Sequence, residues 1–175
     1  MRHGLAAALV GIALMAPLSG AAAQQEKSGC AAGSPTLPPE LAAWSSRRPV
    51  AAAGNASELS AAALGPGIAV DATLRSTSEI RYVRQPEKPG GSVSYGGLFR
   101  FTVEQAGTYR VALGSGAWID VLKGGKTVTS TAHGHGPDCS GIRKMVDFPL
   151  EPGRYTLQIA ANGAPTLPLL IARLP

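Results

Sequence analysis

Two stretches of the chain carry the same pattern. Phe101-Thr102-Val103-Glu104-Gln105-Ala106-Gly107-Thr108-Tyr109-Arg110-Val111 matches the rhythm of Phe148-Pro149-Leu150-Glu151-Pro152-Gly153-Arg154-Tyr155-Thr156-Leu157. Each reads as a strand end, a turn at glycine, and a new strand that opens near tyrosine. A Gly-x-Tyr corner suits β-sandwiches, where the ring packs inward and its hydroxyl reaches nearby backbone. Tyr109 and Tyr155 are therefore expected to be architectural. The composition agrees. Twenty-two glycines and 14 prolines among 175 residues, with only 5% aromatic, argue against a helix bundle and for short strands joined by tight turns. Hydrophobic residues at 45% and charged residues at 15% separate the chain from charge-rich disordered sequences. It is too short for a TIM barrel.

The expected fold is an all-β, antiparallel sandwich of jelly-roll type over residues 56–175, preceded by an irregular Pro/Ala-rich arm over 24–55. Within the arm only residues 41–44 could make a helical turn, with Trp44 tucked against the domain. Candidate strands are 58–63, 68–74, 80–84, 97–103, 108–113, 117–122, 126–133, 142–150, 154–160 and 167–174. Several alternate apolar with polar residues, as half-buried strands do. Pro86, Pro89, Gly90 and Gly91 mark a long loop that runs to Tyr95. A three-residue turn at Gly114-Ser115-Gly116 would set Arg110 opposite Asp120, a cross-strand ion pair. A two-residue turn at Gly124-Gly125 would set Val121 opposite Val128 and Trp118 opposite Thr131.

The first 23 residues read as an export signal. Arg2 and His3 precede an apolar run over 5–15. Pro17, Ser19 and Gly20 then break it, and Ala21-Ala22-Ala23 offers the small-x-small site a signal peptidase needs, with cleavage after Ala23. The apolar run is short of the ~20 residues a membrane span requires, and no later stretch reaches that length. Cys30 follows Lys27-Ser28-Gly29, too far from the apolar run for lipid attachment. The expected location is periplasmic or secreted. The net charge of +5 is scattered. Arg47-Arg48 and Arg143-Lys144 are the only adjacent basic pairs, and no aromatic cluster accompanies them, so a nucleic-acid footprint is not expected.

Export gives the two cysteines a meaning. Cys30 and Cys139 read first as a disulfide. Closing a loop of about 100 residues stabilises by up to about 4.7 kcal/mol in the chain-entropy treatment. Free thiols serving as metal ligands are the alternative. The densest set of reactive side chains is Ala132-His133-Gly134-His135-Gly136-Pro137-Asp138-Cys139-Ser140-Gly141. On an extended strand, His133 and His135 point to one side and could meet one ion, with Cys139 or Asp138 as a third ligand. Zinc or copper suits such a set. A Ser140, His133, Asp138 triad can be written down, but no nucleophile-elbow context accompanies it. Phosphate-loop spacing is absent from the sequence.

Three runs carry a resemblance. They are residues 87–99 (Glu87-Lys88-Pro89-Gly90-Gly91 through Phe99), Ala117-Trp118-Ile119-Asp120-Val121, and residues 133–144. Together they resemble small exported proteins of alphaproteobacteria, some of which bear the name homogentisate 1,2-dioxygenase. That resemblance implies an iron-dependent oxidoreductase in which His133 and His135 would be ligands. The strand-Gly-x-Tyr pattern is also similar to the pre-peptidase C-terminal type of β-sandwich, which implies a non-catalytic accessory module.

The leading expectation is a non-catalytic exported binding or accessory protein. Its working surface is the 132–141 loop with Trp118, Asp138 and Tyr95, and its partner is a small molecule, glycan or protein. The competing expectation is a copper, zinc or iron protein using His133, His135 and Cys139. The state of Cys139 discriminates the two, because a bridged sulfur leaves only two ligands.

Overall fold

The computed structural model describes Cys30 and residues 36–175. The expected leader and its cleavage point lie outside these residues. Twelve strands and three short 3₁₀ helices form over the described residues. The first sheet runs in the order β1 (Arg48–Ala51), β3 (Val70–Thr73), β12 (Thr166–Arg173), β6 (Gly107–Leu113), β10 (Lys144–Leu150), β9 (Ala132–Gly134). The second runs β2 (Ala63–Leu64), β5 (Tyr95–Val103), β11 (Gly153–Asn162), β7 (Trp118–Lys123), β8 (Lys126–Thr127), with β4 (Arg75–Ser76) also paired to β5.

The all-β sandwich is what the alternating runs called for. Its pairing departs from the fully antiparallel expectation at two places. β1 lies parallel to β3, and β2 lies parallel to β5. A parallel partner requires a crossover rather than a hairpin. The chain supplies one by visiting the second sheet at β2 between β1 and β3. Both sheets are therefore mixed.

Period-two alternation builds the core. On β6 the inward residues are Tyr109, Val111 and Leu113; on β12 they are Leu167, Leu169 and Ile171. Across from them stand Phe99, Phe101, Leu157 and Ile159 of the second sheet, each 2% exposed or less. The opposite face of β12 and β6 is apolar too. Leu170, Ala172 and Ala112 form a second cluster with Leu41 and Trp44 of the 3₁₀ helix Pro39–Ser45. The expected helical turn with a buried Trp44 is present, and it is longer than the sequence suggested. Pro39 suits its first turn, where an N–H would have no partner. Residues 48–51, expected within the irregular arm, are a strand of the first sheet.

Both tyrosine corners form. Tyr109 donates its hydroxyl to the Gln105 carbonyl at 2.9 Å, and Tyr155 donates to Glu151 at 2.8 Å. The two bonds span the same four residues, so the repeated sequence pattern produces a repeated geometry. Tyr155 also stacks on Phe101 with ring centres 5.4 Å apart.

The expected hairpin across Gly114–Gly116 does not form. β6 belongs to the first sheet and β7 to the second, so this turn is a crossing between layers. Val111 and Leu113 on one side, and Ile119 and Val121 on the other, bury against the same core from opposite walls. A hairpin would have put all four on one wall. Arg110 consequently pairs with Asp147 of β10, and Asp120 lies opposite Gln158 of β11. The Ser115 hydroxyl fixes the crossing through a 2.6 Å bond to Asn162 Oδ1.

The Gly124-Gly125 turn is as expected, and the Val128 N–H reaches the Val121 carbonyl at 2.8 Å. Pairing then stops. By Thr131 the chain already bonds to Asp147 of the other sheet, so the expected 126–133 strand is two short strands in different layers and Trp118 does not face Thr131. Residues 58–63 are mostly turn. Asn55 accepts from the Ser57 N–H at 3.0 Å and Glu58 accepts from Gly54 at 2.9 Å, local bonds that compete with a ladder. Residues 80–84 are loop.

Candidate functional site

Trp118 opens β7 where the second sheet runs short of partners. β8 pairs only with Leu122 and Lys123. Trp118 and Asp120 therefore have β11 on one side and no paired strand on the other. The segment 128–131 arcs across this gap to the first sheet and leaves a cleft of about 620 Å³. Ile119, Val128, Val146 and Phe148 give it an apolar wall, Lys88, Trp118, Asp120, His133 and Lys144 supply charged and aromatic groups, and Thr127, Thr129 and Ser130 also line it. This is within the ~300–1,000 Å³ common for small-molecule sites.

Lys88 comes from the long loop, and one glutamine determines where that loop lies. Gln158 is fully buried on β11. Its Oε1 accepts from the Arg84 N–H at 3.1 Å, and its Nε2 donates to the Arg84 carbonyl at 2.9 Å. One side-chain amide thus pairs with both backbone groups of a loop residue, as a strand would. Tyr82 adds a 3.3 Å bond to the Ile159 carbonyl. The approach is close enough that a Cβ at Gly96 would overlap the Tyr82 hydroxyl and the Ile159 carbonyl.

Two ammonium groups converge on one indole. Lys88 Nζ lies 5.6 Å and Lys144 Nζ 5.7 Å from the Trp118 ring centre, within cation–π range. Lys144 Nζ donates to the Ala117 carbonyl at 2.8 Å. Neither lysine enters a salt bridge among the described residues. Burial lowers the Lys144 pKa, and the Lys88 charge lowers it further. Asp120 is shifted the other way. Burial raises its pKa, hydrogen bonding from Trp118 and Gln158 and the Arg84 charge oppose the rise, and Glu87 adds to it. Among the described residues the buried Trp118 Nε1–H has no partner at full hydrogen-bond geometry, so its effect on Asp120 is that of a nearby dipole. Burial, with the Asp120 charge behind it, pushes the Tyr82 hydroxyl up to about 12.

His133 and His135 share the rim of a smaller groove of about 270 Å³, beside Arg143 and Lys144. His133 sits on β9 opposite Val146 and also reaches the larger cleft. His135 follows the strand. Its Nδ1 donates to the Arg143 carbonyl at 2.8 Å, which leaves Nε2 as the open nitrogen. Asp138 and Cys139 occupy the middle of a turn closed by a 3.1 Å bond from the Ser140 N–H to Pro137. Cys139 has φ 61°, the left-handed conformation that the third position of such turns can demand. Asp138 is exposed there and does not line the Trp118 cleft. Tyr95 packs against the main core on β5, also outside the cleft. Ser140 donates to Pro137 at 2.6 Å rather than to a histidine.

Both cysteines are disulfide-bonded, which makes the Cys30–Cys139 bridge. The Cys139 sulfur is thus committed to a covalent bond. Among the described residues no three His, Cys, Asp or Glu side chains gather as a metal set would. A disulfide persists in an oxidising, non-cytoplasmic compartment. No helix among the described residues is long and apolar enough to cross a membrane.

A second cleft, of about 500 Å³, is lined by Glu40, Glu104, Gln105, Tyr109 and Arg173 among others. Its tyrosine is the corner residue, already bonded to Gln105, and Arg173 bonds the Ala106 carbonyl at 3.2 Å. Those groups hold the turn. The Trp118 cleft is the better candidate because its lysines lack acidic partners.

No protein-family model and no curated protein matches the chain. The sequence pointed to Trp118 and His133 but passed over Lys88, Asp120 and Lys144 as site residues. These come from separate segments and share no local spacing. The one available signal was the Trp118-x-Asp120 alternation, which puts both side chains on one face of a strand.

Proposed function

We propose that the protein is an exported, non-catalytic binding module, working in the periplasm or outside the cell, whose binding site is the Trp118 cleft. The observation that carries this reading is the cleft itself: an apolar pocket at the open side of the sandwich, with an indole and two lysines that have no acidic partners. Its polar groups suit recognition more than bond-breaking. Among the described residues no hydroxyl is hydrogen-bonded to His133, and Asp120 faces the side-chain N–H donors of Gln158 and Trp118. The sulfur bridge supports an extracytoplasmic setting, and the apolar run over residues 5–15 supports export.

The test is a thermal-shift screen of the mature protein against neutral, cationic and anionic small molecules and glycans, followed by titration of hits. Trp118→Ala should abolish binding while the fold is retained. Hits that bind this variant as tightly as the native chain would remove the cleft from consideration.

The metal-dependent reading rests on one observation, that both imidazoles line one groove. Two ligands hold an ion weakly, and a zinc site ordinarily uses at least three. Elemental analysis of the purified protein decides it. Stoichiometric zinc, copper or iron lost in His133→Ala would favour that reading.

A further inference from the structure

We propose that the Trp118 cleft takes an amphipathic monocarboxylate, an organic acid whose apolar body lies against Val146 and Phe148 and whose carboxylate bridges Lys88 and Lys144. This inference rests on the cleft being the binding site and specifies what it binds.

The argument is one of compensation. Two ammonium groups stand within 6 Å of one indole ring centre, and among the described residues no acidic side chain forms a salt bridge with either. Indole attracts cations through its π face, but it carries no net charge to neutralise them. Lys144 is partly desolvated and spends one of its three donors on the Ala117 carbonyl. An anion between the two lysines would relieve their repulsion and use donors still free. Among the described residues Asp120 is the one carboxylate lining the cleft, and the bond from Gln158 and the Arg84 charge compensate it. His133 at the rim adds an imidazole N–H that can donate a hydrogen bond.

The wall decides what the anion is attached to. Thr127, Thr129 and Ser130 also line the cleft, but Ile119, Val128, Val146 and Phe148 cannot satisfy a ligand that is hydroxylated or charged on every side. They reward an apolar body that leaves water to lie against them. A bare inorganic anion would leave that wall wet. A neutral apolar molecule would leave both lysines uncompensated. An acid with one carboxylate and an aryl or short alkyl body satisfies both halves of the cleft.

The experiment is isothermal titration of the mature full-length protein with benzoate and octanoate. Their neutral partners benzyl alcohol and octanol, and inorganic phosphate, are titrated in parallel. Lys144→Met and Lys88→Met are tested beside Lys144→Arg, which retains the charge and controls for folding. The expected result is binding of at least one acid, at least tenfold weaker for its alcohol. That binding should weaken at least tenfold in each methionine variant and be largely kept in Lys144→Arg. Alcohols that bind as tightly as the acids through Trp118 would overturn the carboxylate while leaving the cleft as a binding site. Phosphate binding equal to that of the acids would overturn the apolar body. Binding of acids that is indifferent to Trp118→Ala would overturn both this inference and the cleft.

Discussion

Arg110 grips Asp147 through two bonds of 2.8 Å, Nε to Oδ1 and a terminal nitrogen to Oδ2. The Asp147 side chain is only 10% exposed, and Glu40 stands 3.9 Å from the same guanidinium. A fork of this kind joins β6 to β10 across the middle of the first sheet. Removing one arm strands the other in a poorly solvated place. Arg110→Met should therefore cost about 3 kcal/mol, the lower end for a broken buried pair. Arg110→Met with Asp147→Leu should recover most of it. Urea melts of both variants check this, and a double variant weaker than the single would contradict it.

Each tyrosine corner closes its own four-residue loop. Tyr109→Phe and Tyr155→Phe should each cost about 1 kcal/mol, the net worth of one hydrogen bond. Tyr155 should show the larger loss, since its hydroxyl also accepts from the Glu151 N–H at 3.1 Å. With no shared partner, the two losses should add in the double variant, measured by the same melts.

Gln158 links the fold to the cleft. Gln158→Met preserves bulk but frees both backbone groups of Arg84. The Arg84 amide should then exchange with solvent at least tenfold faster by NMR. The loop carrying Lys88 should loosen, so ligand affinity should fall while Trp118 stays in place. Unchanged exchange at Arg84 would mean that something else anchors the loop.

Alkaline pH should find Tyr82. Its folded pKa of about 12 exceeds the ordinary 10, so the native state holds this proton more tightly than the unfolded chain does. Stability from this group is complete below pH 10 and is lost as pH rises toward 12. Tyr82→Phe should flatten that part of the stability curve. A slope that is identical with and without the hydroxyl would assign the alkaline loss to other groups.

His133→Ala with His135→Ala should change stability by no more than about 0.5 kcal/mol, because both side chains are exposed. Melts with and without a chelator should coincide. A drop confined to untreated native protein on adding chelator would speak for a bound ion.

The sandwich, its core faces and both corners were legible because they follow from local period and turn chemistry. Phe101, Val103, Tyr109 and Val111 alternate correctly whatever they pair with. Pairing itself was less legible. Arg110 and Asp120 both flank Gly114–Gly116, and a hairpin matched their charges. What decided otherwise was the shared core behind Val111 and Val121, which the sequence does not display. The cleft was half visible. Trp118 and His133 stand out by type, whereas Lys88 reaches the cleft on the loop that Gln158 holds at Arg84, and Lys144 reaches it from β10 of the other sheet. That is a long-range effect with no local mark. Cys139 is legible as half of a bridge because two cysteines beside an expected export signal leave few choices.

The parallel seating of β1 on β3 has a practical meaning for anyone trimming the gene. A shortened polypeptide starting at residue 56, where the Pro/Ala-rich composition ends, would lose Arg48–Ala51 and leave Val70–Thr73 as a bare ledge with unpaired amides. It would also shed Leu41 and Trp44, uncovering Ala112, Leu170 and Ala172 on the same layer. Such a fragment should stick to itself, and the clumping would stem from the cut and not from the native surface.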